Sequence, residues 1–411
     1  MVKRILAIIA IFACSCVAWM ILGTSIYLRT ENAGSVLSGR VASTWGEAQE
    51  QHPPEVSYLV PESKTVEVEE NGKKIKKTEL LNVARNVPLD SSKIAADFHI
   101  DYRQKGLLWF STYRVGFAGD YTFQNPTTQE ENFTIKLPLP AKQAVYDGME
   151  ISLDGRPLAL DFGGAEVTAH GRVKPGASGV VRAAYRSEGQ DSWSYKLSSG
   201  GGVARAKDFH FLVKTDFGGF DFPENSLSPT LKQETPPGWE LKWDYQNLVS
   251  GFNIALRMPQ KLQPGPLAGR ISYFAPVSLF FFFFLVFMLS TLRGIDLHPM
   301  NYFFLASAFF AFHLLLAYLC DHVPIHAAFV ISSAVSISLV VTYLRLVVNL
   351  RFALVDAGVA QLIYLVLFSY AFFFEGFTGL AVTIGAVLTL FVVMQITGRI
   401  QWGKKFERKM A

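Results

Sequence analysis

The sequence predicts a protein of two kinds of structure: membrane α-helix at both ends and a large all-β region between them. Three observations predict it. Apolar residues make up 50% of the 411 and charged residues only 18%, against roughly 25% charged in a soluble protein. The charges are unevenly placed, with 28 Lys and Arg and 29 Asp and Glu between Arg29 and Arg270, but 10 basic and 5 acidic residues in the flanks. Finally, the middle alternates apolar and polar residues with period two, whereas the flanks hold unbroken apolar runs.

A hydrocarbon core about 30 Å thick takes roughly 20 apolar residues of helix. Six runs qualify: Ile5–Leu28, Ser272–Leu292, Tyr302–Leu319, Val323–Leu344, Phe352–Phe374 and Phe377–Thr397. The first is expected to stay as an anchor. Its apolar run exceeds the 7–15 residues of a signal-peptide core and carries Trp19, Met20 and Tyr27 towards its exit. Lys3 and Arg4, Arg293, Arg345 and Arg351, and the tail Arg399, Lys404, Lys405, Arg408 and Lys409 fall on one side of the spans. Cys320–His322 and Glu375 fall on the other. The positive-inside rule therefore puts both termini in the cytoplasm and residues 29–271 across the membrane. The expected segments of this multi-pass membrane protein are an anchor (1–28), a translocated β-rich region (29–271), a five-helix bundle (272–398) and a basic cytoplasmic tail (399–411).

The middle reads as strands in "KTVEVEE", "IAADFHIDYR", "FTIKLPLP", "GVVRAAYR" and "FHFLVKTDF". Asn71-Gly72 and Asp154-Gly155 sit between such runs and suit tight hairpin turns. The exception is Ser35–Gln51, which reads as a stalk continuing the first span. The region is long enough for one β-sandwich or for two with a boundary near 130. It contains no cysteine, so apolar burial has to hold it; Cys14, Cys16 and Cys320 all lie in or beside spans. With its balanced charge it has no basic footprint for nucleic acid.

No nucleophile elbow, zinc-protease helix, phosphate loop or dinucleotide glycine pattern occurs, so no catalytic residue, cofactor site or metal site is expected. The candidate functional polar residues lie in or beside the spans, where ionisable groups are costly. They are His313 within a span, Asp356 near the inner interface, Asp321, His322 and His326 in the outer loop "CDHVPIHAA", and Glu375 at the second outer turn. The loop cluster reads as a polar cap, with a weak metal or proton-sensing site as the alternative. Two function classes follow. One is a binding or adaptor protein whose β region contacts an envelope component. The other is a transporter or flippase component using the bundle and His313, Asp356, Gln361 and Gln395. A membrane enzyme would need acids brought together by folding, such as Asp321 with Glu375.

Several strings resemble the CreD-like inner-membrane proteins associated with cell-envelope integrity. They are "VASTWGEAQ" (Val41–Gln49) and "ADFHIDYRQKGLLWFSTYRVGFAGDYTF" (Ala96–Phe123), with Arg103, Gly106 and Gly119 at matching points. The closest runs from Leu297 to Val347 and includes His298-Pro299, Asp321-His322 and Tyr343; "ITGRIQW" (Ile396–Trp402) resembles the closing motif. The sequence departs at "EQHPPEVSYLVPE" and in the glycine-rich Gly163–Gly202, so it resembles a divergent member. The resemblance implies a bacterial inner, or plasma, membrane location with residues 29–271 in the periplasm, an envelope-integrity or stress-response role and no enzyme activity. The expected partners are the lipid bilayer and a periplasmic or envelope protein, with the oligomeric state left open.

Overall fold

A computed structural model describes residues 2–70, 73–105, 108–197, 202–374 and 376–398. The chain divides into a helical unit (the described residues up to Val36, those within Gln104–Leu108, and those from Leu262 on) and a β unit (Leu37–Arg103 and Trp109–Lys261). The hairpin position Asn71-Gly72, Gly106, Glu375 and the basic tail from Arg399 lie outside the described residues.

The helices are α1 (Val2–Trp45), α2 (Pro264–Leu292), α3 (Pro299–Leu319), α4 (Ile325–Val347), α5 (Phe352–Phe373) and α6 (Thr378–Thr397). All six contain a stretch long and apolar enough to cross a bilayer. The first does not stop at Leu28 but runs unbroken to Trp45. The boundaries follow local chemistry. Proline opens α2 and α3, where its missing N–H costs no intrahelical bond. His298 caps α3, its Nδ1 accepting from the Met300 N–H at 3.2 Å. Pro324 precedes α4, and Asn349 Oδ1 accepts from the Phe352 N–H at 2.9 Å to start α5. Helix α5 is irregular. Phe352–Gly358 and Leu362–Leu367 are wound as π-helix, which shifts the faces that side chains reach. The core of this unit packs Trp19, Phe282, Phe309, Phe312, Leu316 and Leu365 out of contact with any solvent.

Among the described residues the β unit has sixteen strands, numbered in chain order. A three-stranded sheet sets β12 (Ser192–Tyr195) between β1 (Gln49–Gln51) and β16 (Ile254–Arg257). A five-stranded sheet runs β3 (Lys73–Val87), β2 (Glu55–Glu70), β6 (Glu131–Pro138), β10 (Glu166–Val173) and β9 (Leu160–Phe162). An eight-stranded sheet runs β14 (Leu231–Thr235), β15 (Gly238–Ser250), β13 (Ala204–Thr215), β4 (Ser91–Lys105), β5 (Leu108–Gln124), β11 (Ser178–Gln190), β7 (Tyr146–Leu153) and β8 (Arg156–Pro157). Most pairs are antiparallel, but β13 with β4 and β1 with β12 are parallel.

Alternation puts one face of β4, β5, β6, β10, β11 and β13 inside. Phe98, Tyr113, Val115, Phe117, Tyr121, Val181, Ala183, Phe209, Phe211 and Trp243 of the large sheet share a core with Val56, Phe133, Ile135, Leu137 and Val167 of the five-stranded sheet. Phe123 and Phe133 meet edge to face across the two sheets with centroids 5.0 Å apart. Trp193 is fully buried among Phe98, Phe117 and Phe211 at 5.4–6.3 Å. Each such side chain stabilises the fold by about 1.5–3 kcal/mol through burial, and aromatic pairing adds about 0.5–1.5. Burial drives the phenols of Tyr113, Tyr185 and Tyr195 well above their ordinary pKa, so they stay neutral in this core. The Asp154-Gly155 turn is as expected: φ is +52° and +76°, and Leu153 pairs with Arg156 around it.

Candidate functional site

The polar residues of the helical unit find partners that lie far away in sequence. Asp356, on the first π-helical stretch of α5, is only 8% exposed and accepts from Arg293 Nη2 at 2.6 Å. Its second oxygen has no partner. One π-turn on, Gln361 is fully buried. Its Nε2 donates to Ser336 Oγ at 2.8 Å, which donates to the Ala308 carbonyl at 2.6 Å. Gln361 Oε1 and the nearby Ser332 Oγ are unpartnered. His313 is buried on α3, with Nδ1 3.0 Å from the Phe309 carbonyl oxygen. That contact makes Nδ1 the protonated nitrogen and leaves Nε2 as an unpartnered acceptor, beside Trp19 at 5.5 Å between ring centroids.

The outer loop is built differently. Asp321 meets Arg29 at 3.3 Å, and the same guanidinium donates to the Ala317 carbonyl and lies 5.6 Å over the Tyr318 ring. His322 is exposed and caps the turn through its backbone N–H to the Leu319 carbonyl. His326 rests on the Phe373 ring at 5.0 Å. Asp321, His322 and His326 thus serve three different contacts. Among the described residues no group of three or more His, Cys, Asp and Glu side chains is arranged to hold a metal. Glu375 lies outside the described residues, and with it the Asp321–Glu375 pairing. The five candidates among the described residues form no common site.

The β unit carries a more site-like surface, which sequence reading missed. The outward face of the large sheet has a floor of small residues. Ala184 lies opposite Ala118, Arg186 opposite Gly116, and Ala95 opposite Leu212. With little side chain on the floor, the taller charged neighbours become walls. On one side a cleft of about 550 Å³ is lined by Asp97, His99, Arg114, Gly116, Asp147, Arg186 and Glu188. On the other, a cleft of about 360 Å³ is lined by Lys93, Ala95, Ala118, Asp120, Arg182, His210, Lys242 and Asp244. Some of these charges are spent internally: Arg186 on Asp147 at 2.7 Å, Arg182 on Asp120 at 3.1 Å and His99 on Asp216 at 3.1 Å. Arg114 has no ion-pair partner among the described residues, although Glu188 stands opposite it in register. The first cleft therefore offers an unspent guanidinium beside carboxylates on an exposed face. This can bind a polar ligand through charge-assisted hydrogen bonds. The signal in the sequence was the row of Ala and Gly at outward positions of long strands.

His210 adds a pH dependence to this face. Its Nδ1 lies 2.7 Å from Asp244 and its Nε2 3.1 Å from Asp208. The Asp244 hydrogen bond first, and then that of Asp208, raises its pKa above 6.5. The charged form is favoured by folding, so the stabilisation is complete below about pH 6.5 and disappears as pH rises through the raised value. Thermal melts of the full chain in detergent will show His210→Gln less stable than wild type in mildly acidic buffer and equal to it in alkaline buffer. A pH-independent difference would refute the assignment.

Residues 228–403 match the family model described as inner membrane protein CreD. The match takes in the last strands of the β unit and α2 to α6, and over it the chain is CreD-like. No curated protein matches the chain. Among solved structures, a candidate nutrient binding protein from Legionella pneumophila is similar at 10% identity, covering 58% of this chain and 76% of that one, with a TM-score of 0.35. The M1 zinc metallopeptidase of Deinococcus radiodurans is similar at 13% identity, covering 42% of this chain and 43% of its own, with a TM-score of 0.24. Likenesses this distant carry no argument about fold or chemistry.

Proposed function

We propose that this membrane protein, CreD-like over residues 228–403, is an envelope-binding protein of the bacterial inner membrane. Its β unit would bind an envelope component in the periplasm and contribute to envelope integrity without a reaction of its own. Both termini are cytoplasmic and residues 29–271 periplasmic. The anchor (1–28), the five-helix bundle (272–398) and the basic tail (399–411) hold the chain in the bilayer. The segregation of Arg and Lys to alternate loops supports that orientation.

The observation that carries the reading is the outward face of the large sheet, with its small-residue floor and the unpaired Arg114 in a cleft of about 550 Å³. A core-facing surface would be apolar and covered; this one is open and charged. Two experiments test it. Ser178→Cys, at an exposed position of β11, will react with a membrane-impermeant maleimide in intact cells once the outer membrane is permeabilised. Labelling only after lysis would refute the orientation. Gly116→Trp fills the floor of that cleft, at a position where an added Cβ meets no atom within 4 Å. We expect normal membrane levels, a detergent sensitivity matching that of a deletion strain, and about a tenfold loss of photocrosslinking from position 145, on the exposed rim of the same cleft, to its envelope partner, equivalent to 1.4 kcal/mol. Unchanged crosslinking and unchanged sensitivity together would overturn the site.

A second reading, translocation through the bundle, is favoured by the unpartnered buried oxygens of Asp356, Gln361 and Ser332. Replacing His313 and Asp356 by Ala without effect on the envelope phenotype would remove it.

A further inference from the structure

We infer that a cleft in the helical unit, between α2, α5 and α6, holds one acyl chain of a bilayer phospholipid. The cleft measures about 220 Å³, and its walls include Phe281 of α2, Tyr364, Leu367 and Ala371 of α5, and Ala381 and Gly385 of α6. Its shape has two local causes. The second π-helical stretch of α5, Leu362–Leu367, displaces the wall that a regular helix would present. Opposite it, α6 offers small residues, and a Cβ built on Gly385 meets no atom within 4 Å. A void of this kind loses the dispersion contacts of its lining unless something fills it.

The chemistry of the lining selects the occupant. All of its side chains are apolar except Tyr364, whose hydroxyl is spent on Thr389 Oγ1 at 2.7 Å. The Thr389 hydroxyl is in turn spent on the Gly385 carbonyl at 2.7 Å. Water would find at most a spare acceptor lone pair on the Tyr364 hydroxyl, short of the two to four partners it needs to be held. The Tyr364 ring is stacked on Phe281 at 5.8 Å and 15°, so it forms a flat wall that cannot swing in to close the gap. The cleft opens sideways: Ile363 and Leu367 on its rim are 44% and 58% exposed on helices long and apolar enough to span a bilayer. The medium at that opening is lipid hydrocarbon, and a methylene chain is the one component of it thin enough to enter.

The test uses the full chain in mild detergent. Delipidated protein is reloaded with palmitoyl-oleoyl phosphatidylethanolamine and examined by native mass spectrometry. We expect one retained phospholipid per chain, reduced about tenfold in Gly385→Leu and Gly385→Phe, which project into the cleft from a position with open space. Val387→Phe, on the exposed side of α6, is expected to retain it as wild type does. A diazirine amino acid at position 382 in native membranes is expected to capture phospholipid. Equal retention in both Gly385 variants, or capture at position 382 of a second copy or of another protein's helix instead of lipid, would overturn the inference.

Discussion

Gly238→Ala will prevent the β unit from folding. A Cβ at this position would lie 1.9 Å from the Thr215 carbonyl oxygen, 2.6 Å from its carbon and 2.8 Å from the Phe217 nitrogen. All three are backbone atoms in or beside β13, whose Thr215 pairs with Trp239 of β15. Thr215 is itself fixed, its hydroxyl donating to the Phe217 carbonyl and accepting from the Trp239 N–H. None of the clashing atoms is the free end of a side chain, so β15 would have to leave β13. The expected cost exceeds about 4 kcal/mol, a large part of the 5–15 kcal/mol that holds a typical domain together. In the full chain this will appear as rapid proteolysis within 37–261 and a red shift of tryptophan emission. Gly155→Ala is the contrast. Its φ is +76° but no atom crowds it, so the cost is about 1–2 kcal/mol and the unit still folds. If Gly238→Ala is as stable as Gly155→Ala, the β13–β15 register described above is wrong.

The second large effect is expected at the Arg293–Asp356 pair. Arg293→Ala leaves a carboxylate that is 8% exposed without its cation and with its other oxygen already unpartnered. Breaking a buried pair from one side costs about 3–5 kcal/mol; the Arg293 side chain is 41% exposed, which places this case near about 3. Asp356→Ala will cost less, because the arginine stem can carry its charge to the interface. The double variant Arg293→Ala/Asp356→Ala, which leaves neither charge, will recover most of the loss. Thermal unfolding in detergent, read by circular dichroism, measures all three. Additive losses would mean that the two residues do not interact.

The sequence showed best what depends on neighbours along the chain. The six apolar runs, the DG turn and the two-residue period of β4, β5, β11 and β13 follow from local composition, and the structure has them. Partners set by the tertiary fold were hidden. Asp356 was read as reaching the inner interface alone, whereas its partner stands 63 residues earlier. Asp321 was grouped with His322 and His326 because they are adjacent, whereas its charge is met by Arg29, 292 residues away. The π-helical winding of α5 left no mark on an apolar run that reads the same in either helix. The clefts on the large sheet were missed because the sequence reading looked for reactive residues, while the clefts arise from a lack of side chain at Ala95, Gly116, Ala118 and Ala184. Such a floor is visible only once the strand order is known.

The strand order also constrains the timing of biogenesis. β1 is among the first residues of the β unit to leave the ribosome, yet its partner β12 lies at 192–195, and that strand's other neighbour, β16, ends at Arg257. Likewise β4 waits for β13 more than a hundred residues later. At 5–20 residues per second, β1 is unpaired for on the order of seven to thirty seconds before β12 exists. The nascent strands spend that interval with open hydrogen-bonding edges, so a holding chaperone on the side where they emerge, rather than a disulfide catalyst, is the assistance this topology demands.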